Sequence, residues 1–143
     1  MHMDYRRYGD TYVVRLDKGD DICEALQTLA EREQIALAEV NGLGAVDQII
    51  LGVYDPRAQR YLTNSFTGAY EITSLTGNIT LDEGKPHLHL HLSAGDIRGN
   101  AVGGHLKCAT ISVTGEILVR VLPGAVNRKY DPDVGINVLA FDE

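Results

Sequence analysis

The segment Pro86-His87-Leu88-His89-Leu90-His91-Leu92-Ser93 alternates histidine with leucine without a break. Side chains on a strand point to opposite faces in turn, so the three leucines share one face and the three histidines the other. One face is suited to a core and the other to a polar environment, the pattern of a half-buried antiparallel strand. β-rich runs lie on either side of it. Thr11 to Leu16, Ile35 to Val40, Val46 to Tyr54, Arg60 to Phe66, Tyr70 to Leu81, Asn100 to Leu106, Ala109 to Leu122 and Ile136 to Ala140 all read as strands. Asp55-Pro56, Asp82-Glu83-Gly84, Gly95-Asp96 with Gly99-Asn100, and Pro123-Gly124 punctuate them. Only one stretch reads clearly as a helix. Ile22, Ala25, Leu26, Leu29 and Ala30 recur at helical spacing, and Asp21 with Glu24 forms a capping-box pattern, so a helix is expected from Asp21 to Glu33. The expected architecture is α+β, a mostly antiparallel sheet packed with one main helix.

Composition narrows the function. At 143 residues, 1–143 is expected to form a single domain with an ordinary core. Thirteen Lys and Arg against twenty Asp and Glu leave a net charge of −7, which repels phosphate backbones and anionic lipid. Cys23 and Cys108 lie 85 positions apart with no CxxC pair, which argues against a disulfide scaffold and a cysteine zinc finger. There is no apolar leader at the N-terminus and no membrane-length apolar run, so a soluble, cytoplasmic protein without membrane contact is expected. His2 is set aside from site arguments.

Three imidazoles on one polar strand face need a reason. Residues two apart are separated by about 6.6 Å along a strand, so neighbouring imidazoles can converge on one ion. His87 and His91, about 13 Å apart on the same rise, cannot easily share one. A site therefore takes one adjacent pair and a third ligand from elsewhere. His105, in Gly103-Gly104-His105-Leu106, is the candidate. If Ala94 to Gly99 is a hairpin connection and His89 lies opposite His105, then Gly103 faces His91, and Val102, Gly104 and Leu106 join the leucine face. Three neutral imidazoles are the usual ligand set of a catalytic-type zinc and suit other borderline divalent metals. The residues alone also fit hydrogen-bonded sheet histidines or a proton-sensitive interface.

At these residues the sequence resembles the PPC (plants-and-prokaryotes-conserved) domain. The matching features are Gly68-Ala69-Tyr70-Glu71-Ile72-Thr73-Ser74-Leu75-Thr76-Gly77-Asn78-Ile79, His87-Leu88-His89, Gly103-Gly104-His105-Leu106, the stretch Ile35 to Leu51 and the Glu116 segment. The resemblance covers nearly the whole chain. It implies the PPC fold and a homotrimer, and for some prokaryotic members a metal held by histidines corresponding to His87, His89 and His105. His91 stands where the family often has a small polar residue and is a further candidate ligand. The family is commonly labelled DNA-binding or regulatory, by association with plant proteins in which AT-hooks grip the minor groove. This chain has no Arg-Gly-Arg-Pro core and is acidic, so direct DNA binding by the isolated chain is not expected.

The expectation is a homotrimeric PPC-domain protein with a histidine-held Zn²⁺ or other divalent metal and a protein or small-molecule partner. Two alternatives accompany it: a small metal-dependent hydrolase or lyase using activated water, and a structural trimer whose metal stabilises it. Glu71 and Glu116 are the candidate general bases for the enzyme, although both read more simply as strand or interface carboxylates. Asn41-Gly42-Leu43-Gly44 reads as a turn, since it lacks a dinucleotide-binding order and opens onto a strand. Arg98, Arg128 and Lys129 are surface cations able to meet an anion and receive no role. Cys23, near the helix N-terminus, is expected to have a somewhat lowered pKa.

Overall fold

The computed structural model describes residues 1–141. Its elements are β1 (Asp4–Tyr8), β2 (Thr11–Asp17), α1 (Ile22–Arg32), β3 (Ala38–Asp55), β4 (Arg60–Asp82), β5 (Lys85–Gly95), β6 (Ala101–Val121), β7 (Asn127–Asp131) and β8 (Ile136–Ala140). The helix starts where its chemistry says it should. The Asp21 carboxylate accepts the Glu24 N–H at 2.9 Å, and its other oxygen accepts the Ala109 N–H of β6 at 3.0 Å, tying helix start to sheet. The helix stripe is fully buried, with Ile22, Ala25, Leu26, Leu29 and Ala30 all at 0 % exposure. Burial of each large aliphatic side chain among them contributes about 1.5–3 kcal/mol. The helix ends at Glu33. Gln34 follows in the left-handed region (φ 53°), and the Ile35 N–H donates to the Ala30 carbonyl.

All but one of the strand pairings are antiparallel. The exception is a single parallel bridge, Leu81 to Asn127, between β4 and β7. The sheet runs β1-β2-β6-β3-β4-β7-β8, and β5 lies against both β4 and β6. Since β3 also pairs with both β4 and β6, the four longest strands close into a hydrogen-bonded ring. Apolar side chains including Ile49, Leu75, Leu92 and Ile111 form the core together with the helix stripe.

The helix and the strand-rich remainder match the reading of the sequence, with the following differences. Two expected strands merge into β3, two into β4 and two into β6, while β1 and β7 appear where no strand was expected. The Asn41–Gly44 turn is instead a bulge inside β3, with a register shift between Gly42 and Gly44. Gly44 (φ +155°) lies opposite Gly115, and a Cβ on it would stand 2.6 Å from the Thr114 carbonyl oxygen. Two facing glycines let β3 and β6 approach closely and bend instead of reversing.

Candidate metal centre

The alternation in β5 does what its pattern implies. Leu90 and Leu92 are 2 % exposed on the core side, while His89 and His91 stand on the other face. The register against β6 differs from expectation by two residues: His91, not His89, lies opposite His105, and Ser93 lies opposite Gly103. The cause is the connection. Ala94 and Gly95 continue β5, and only Asp96 to Asn100 turn. The Asp96 carboxylate accepts the N–H groups of Arg98 and Asn100, both at 2.9 Å, and Gly99 takes φ +83°. A slip of two leaves every side chain on its face, so the polar and apolar faces are as expected although the partners change.

The shift decides which histidines meet. Among the described residues, His89, His91 and His105 form one group whose candidate ligand atoms all lie within 4.8 Å of one another. Their ring centroids are 5.2 Å (His89–His91), 5.4 Å (His89–His105) and 5.8 Å (His91–His105) apart. This is one adjacent pair and a partner from the next strand, but the pair is His89 and His91. His87 falls outside the group. Its Nδ1 lies 3.9 Å from the Asp82 carboxylate instead.

Burial and neighbouring charge favour the neutral, metal-binding form of two of these rings, His89 and His105. Burial, reinforced by the positive Arg128 and the neighbouring histidines, pushes His89 down to about 4. Burial likewise lowers His105, with His91 and His87 adding to it. His105 Nδ1 is buried without a hydrogen-bond partner, and the ring stacks on Tyr61 at 4.5 Å. A buried imidazole nitrogen left unpaired is costly unless something absent from the polypeptide occupies it.

Glu71 is exposed on β4, opposite Ala45 and Gly95, and is not in the histidine group. Glu116 is exposed, eleven residues along β6 from His105, or about 36 Å of extended strand. It lines a groove of about 670 Å³ with Tyr5, Val13, Leu43 and Leu118, away from the histidines. Cys23 corrects the helix-terminus expectation. Burial, with Asp21 and Cys108 nearby, pushes its thiol up to about 12, so desolvation outweighs the helix dipole.

Arg128 was in view in the sequence but without a role. It reaches the face of the histidine row from β7: Nε donates to Thr80 Oγ1 at 2.9 Å and Nη2 to Asn78 Oδ1 at 3.2 Å. Asn78 and Thr80 lie opposite His89 and His87 on β4. Tyr61, too, had no local signal.

Comparison with known proteins agrees with this fold. A family model described as the Plants and Prokaryotes Conserved (PCC) domain matches residues 3–123. The chain is 31 % identical to a Bacteroides thetaiotaomicron protein named a "putative dna binding protein", with TM-score 0.94 and 97 % of each chain covered. It is 26 % identical to the metal-containing protein AF0104 of Archaeoglobus fulgidus, with TM-score 0.85 and 99 % of each covered. A Pyrococcus horikoshii plant- and prokaryote-conserved protein matches at 26 % identity and TM-score 0.85, over 99 % of this chain and 96 % of that one. A Synechococcus protein named bifunctional protein GlmU is 31 % identical over 127 residues, 87 % of this chain. The chain spans only 19 % of the length of that curated relative.

Proposed function

On the premise that the chain belongs to the Plants and Prokaryotes Conserved domain family, we propose that it is a homotrimeric metal-binding protein. Its site is His89, His91 and His105, and zinc is the favoured ion. The observation that carries this reading is the convergence of three imidazoles whose candidate ligand atoms all lie within 4.8 Å of one another, one of them on His105, whose buried Nδ1 has no hydrogen-bond partner. Held there, a zinc-type cation supplies Lewis acidity and, with three protein ligands, a position for water or an exogenous ligand. The protein's own contribution is preorganisation. Burial holds protons off His89 and His105, the Tyr61 ring fixes the plane of His105, and strand pairing sets His91 against it. The archaeal relative named as metal-containing supports the same reading.

Elemental analysis tests it, on protein never exposed to a nickel column. About one zinc per chain is expected for wild type and for His87→Ala, and none for His91→Ala or His105→Ala. No metal in wild type even after reconstitution, or loss with His87→Ala alone, overturns the assignment. The trimer is supported by Val13, Leu43 and Leu118, which stand 44–53 % exposed around the groove on the sheet. Light scattering at the mass of a monomer would overturn it.

A DNA-associated role rests on the names of neighbours such as the Bacteroides protein. The charge of −7 argues against it. Duplex affinity that falls steeply with salt would revive that role; no binding at low salt ends it.

A further inference from the structure

The histidine site has a positive neighbour that the metal reading leaves unused. Arg128 is half-buried, and among the described residues no carboxylate lies within the 4 Å of an ion pair with it. Asp82 acts on it by charge from beyond ion-pair distance, its carboxylate being held by Asn137 and lying against His87, so the guanidinium has no direct ion pair to offset the cost of its partial desolvation. Its position is tightly specified. Thr80, 2 % exposed, and Asn78 hold Nε and Nη2, and the Asn137 carbonyl accepts from Nη1 at 3.4 Å. These three bonds engage three of the five N–H groups of the guanidinium, leaving one on each terminal nitrogen. Two such donors suit bidentate capture of a carboxylate or phosphate.

Placement ties those donors to the site. Asn78 and Thr80 are the cross-strand partners of His89 and His87, and paired residues share a face. The guanidinium, bonded to both, therefore lies over the face that carries the imidazoles. A cation placed next to metal ligands opposes metal binding by charge alone. Its position makes sense if an anion is shared between the two positive centres. The solvent side is open, since His91 is exposed and Tyr61 is 39 % exposed.

We propose that Arg128 is the anion-recognising residue of the three-histidine site, and that the site takes a small molecule bearing a carboxylate or phosphate. The inference rests on the metal reading above. The test uses the full-length protein loaded with Co²⁺, whose visible spectrum reports changes at the metal. Inorganic phosphate and acetate are titrated separately into wild type, Arg128→Gln and Arg128→Lys.

Wild type is expected to show a saturable spectral change with at least one anion. Half-saturation should rise about tenfold or more in Arg128→Gln, and by an intermediate amount in Arg128→Lys, which keeps the charge but loses the fork. The anion that gives the lower half-saturation identifies the ligand group. Co²⁺ affinity should not weaken in Arg128→Gln, which separates anion recognition from mere loss of structure. If Co²⁺ fails to bind wild type, the metal reading falls and this inference with it. Co²⁺ binding with the same anion response in all three proteins, or with none, overturns the inference alone. A melting temperature of Arg128→Gln near that of wild type shows that its anion response comes from a folded chain. If it melts lower, the Arg128→Lys titration decides: wild-type affinity there overturns the proposal.

Discussion

Replacing Gly77 by alanine should open the sheet at the histidines. Gly77 lies on β4 opposite Leu90 of β5, and a Cβ added to it would stand 1.9 Å from the His89 carbonyl oxygen. Two further backbone atoms, the His89 carbonyl carbon and the Leu90 Cα, would lie at 2.9 Å. None of these is the end of a flexible side chain, so rotamer changes give no relief. To reach ordinary contact near 3.4 Å, the two strands must part locally by about 1.5 Å. A backbone hydrogen bond of about 2.9 Å stretched by that much is broken. Overpacking of this kind costs about 1–3 kcal/mol, and each buried ladder group left unpaired adds about 1–3 kcal/mol. We expect a loss of about 3–4 kcal/mol, or roughly 10 °C in melting temperature for a domain of this size.

The displaced carbonyl belongs to His89, so metal affinity should fall in the same variant. Gly95→Ala is the control, because the nearest atom to its new Cβ is Thr73 Cγ2 at 4.0 Å. It should melt within about 2 °C of wild type, or slightly higher from reduced chain entropy in the unfolded state. Thermal melts and metal titrations of both variants check this. Gly77→Ala melting within 2 °C of wild type with undiminished metal affinity would refute the close approach of β4 and β5.

Three further predictions concern the region around the helix and its lead-in. Asp21→Ala removes both the helix cap and the acceptor of the Ala109 N–H, and should cost about 2–3 kcal/mol in urea denaturation. Asp20 is 3 % exposed; burial alone would raise its pKa, but the N–H groups of Asp17 and His2 outweigh burial and hold it below the usual value. Its stabilisation is therefore complete above the unfolded-state value near 4 and lost as pH falls through the lower folded value. Asp20→Asn should cost about 1–2 kcal/mol at pH 7, with the gap to wild type narrowing in denaturant melts below pH 4. Burial raises both thiols, Cys23 to about 12, so neither should react quickly with Ellman's reagent at pH 8 in the native protein, and both should react in denaturant.

The polar and apolar faces of β5 could be read from three leucines and three histidines, because alternation is a property of a strand by itself. Which histidines meet could not, because that depends on where the hairpin turns. Asp96 captures the N–H groups of Arg98 and Asn100 and delays the turn past Gly95. The helix was legible almost to the residue, since its stripe and cap are both local. Arg128 reaches Asn78 from fifty positions away in sequence, on a strand with no apolar alternation to announce it. Glu71 and Glu116 have suitable chemistry for a base, but chemistry without position does not make a site, and both face solvent elsewhere on the sheet.

The five-residue link between β5 and β6 also bears on the order in which the molecule assembles. All three histidines of the group lie on that hairpin, and its ends need close only a short loop. Pairing of Ala38 with Val121, by contrast, must bring together segments more than eighty residues apart. Hairpins form within microseconds, whereas folds dominated by distant strand pairs complete over milliseconds to seconds. The proposed ligand set would thus come together in the chain before the ring of strands has closed. An ion captured at that stage would stabilise the hairpin as a template on which β3 and β4 complete the sheet.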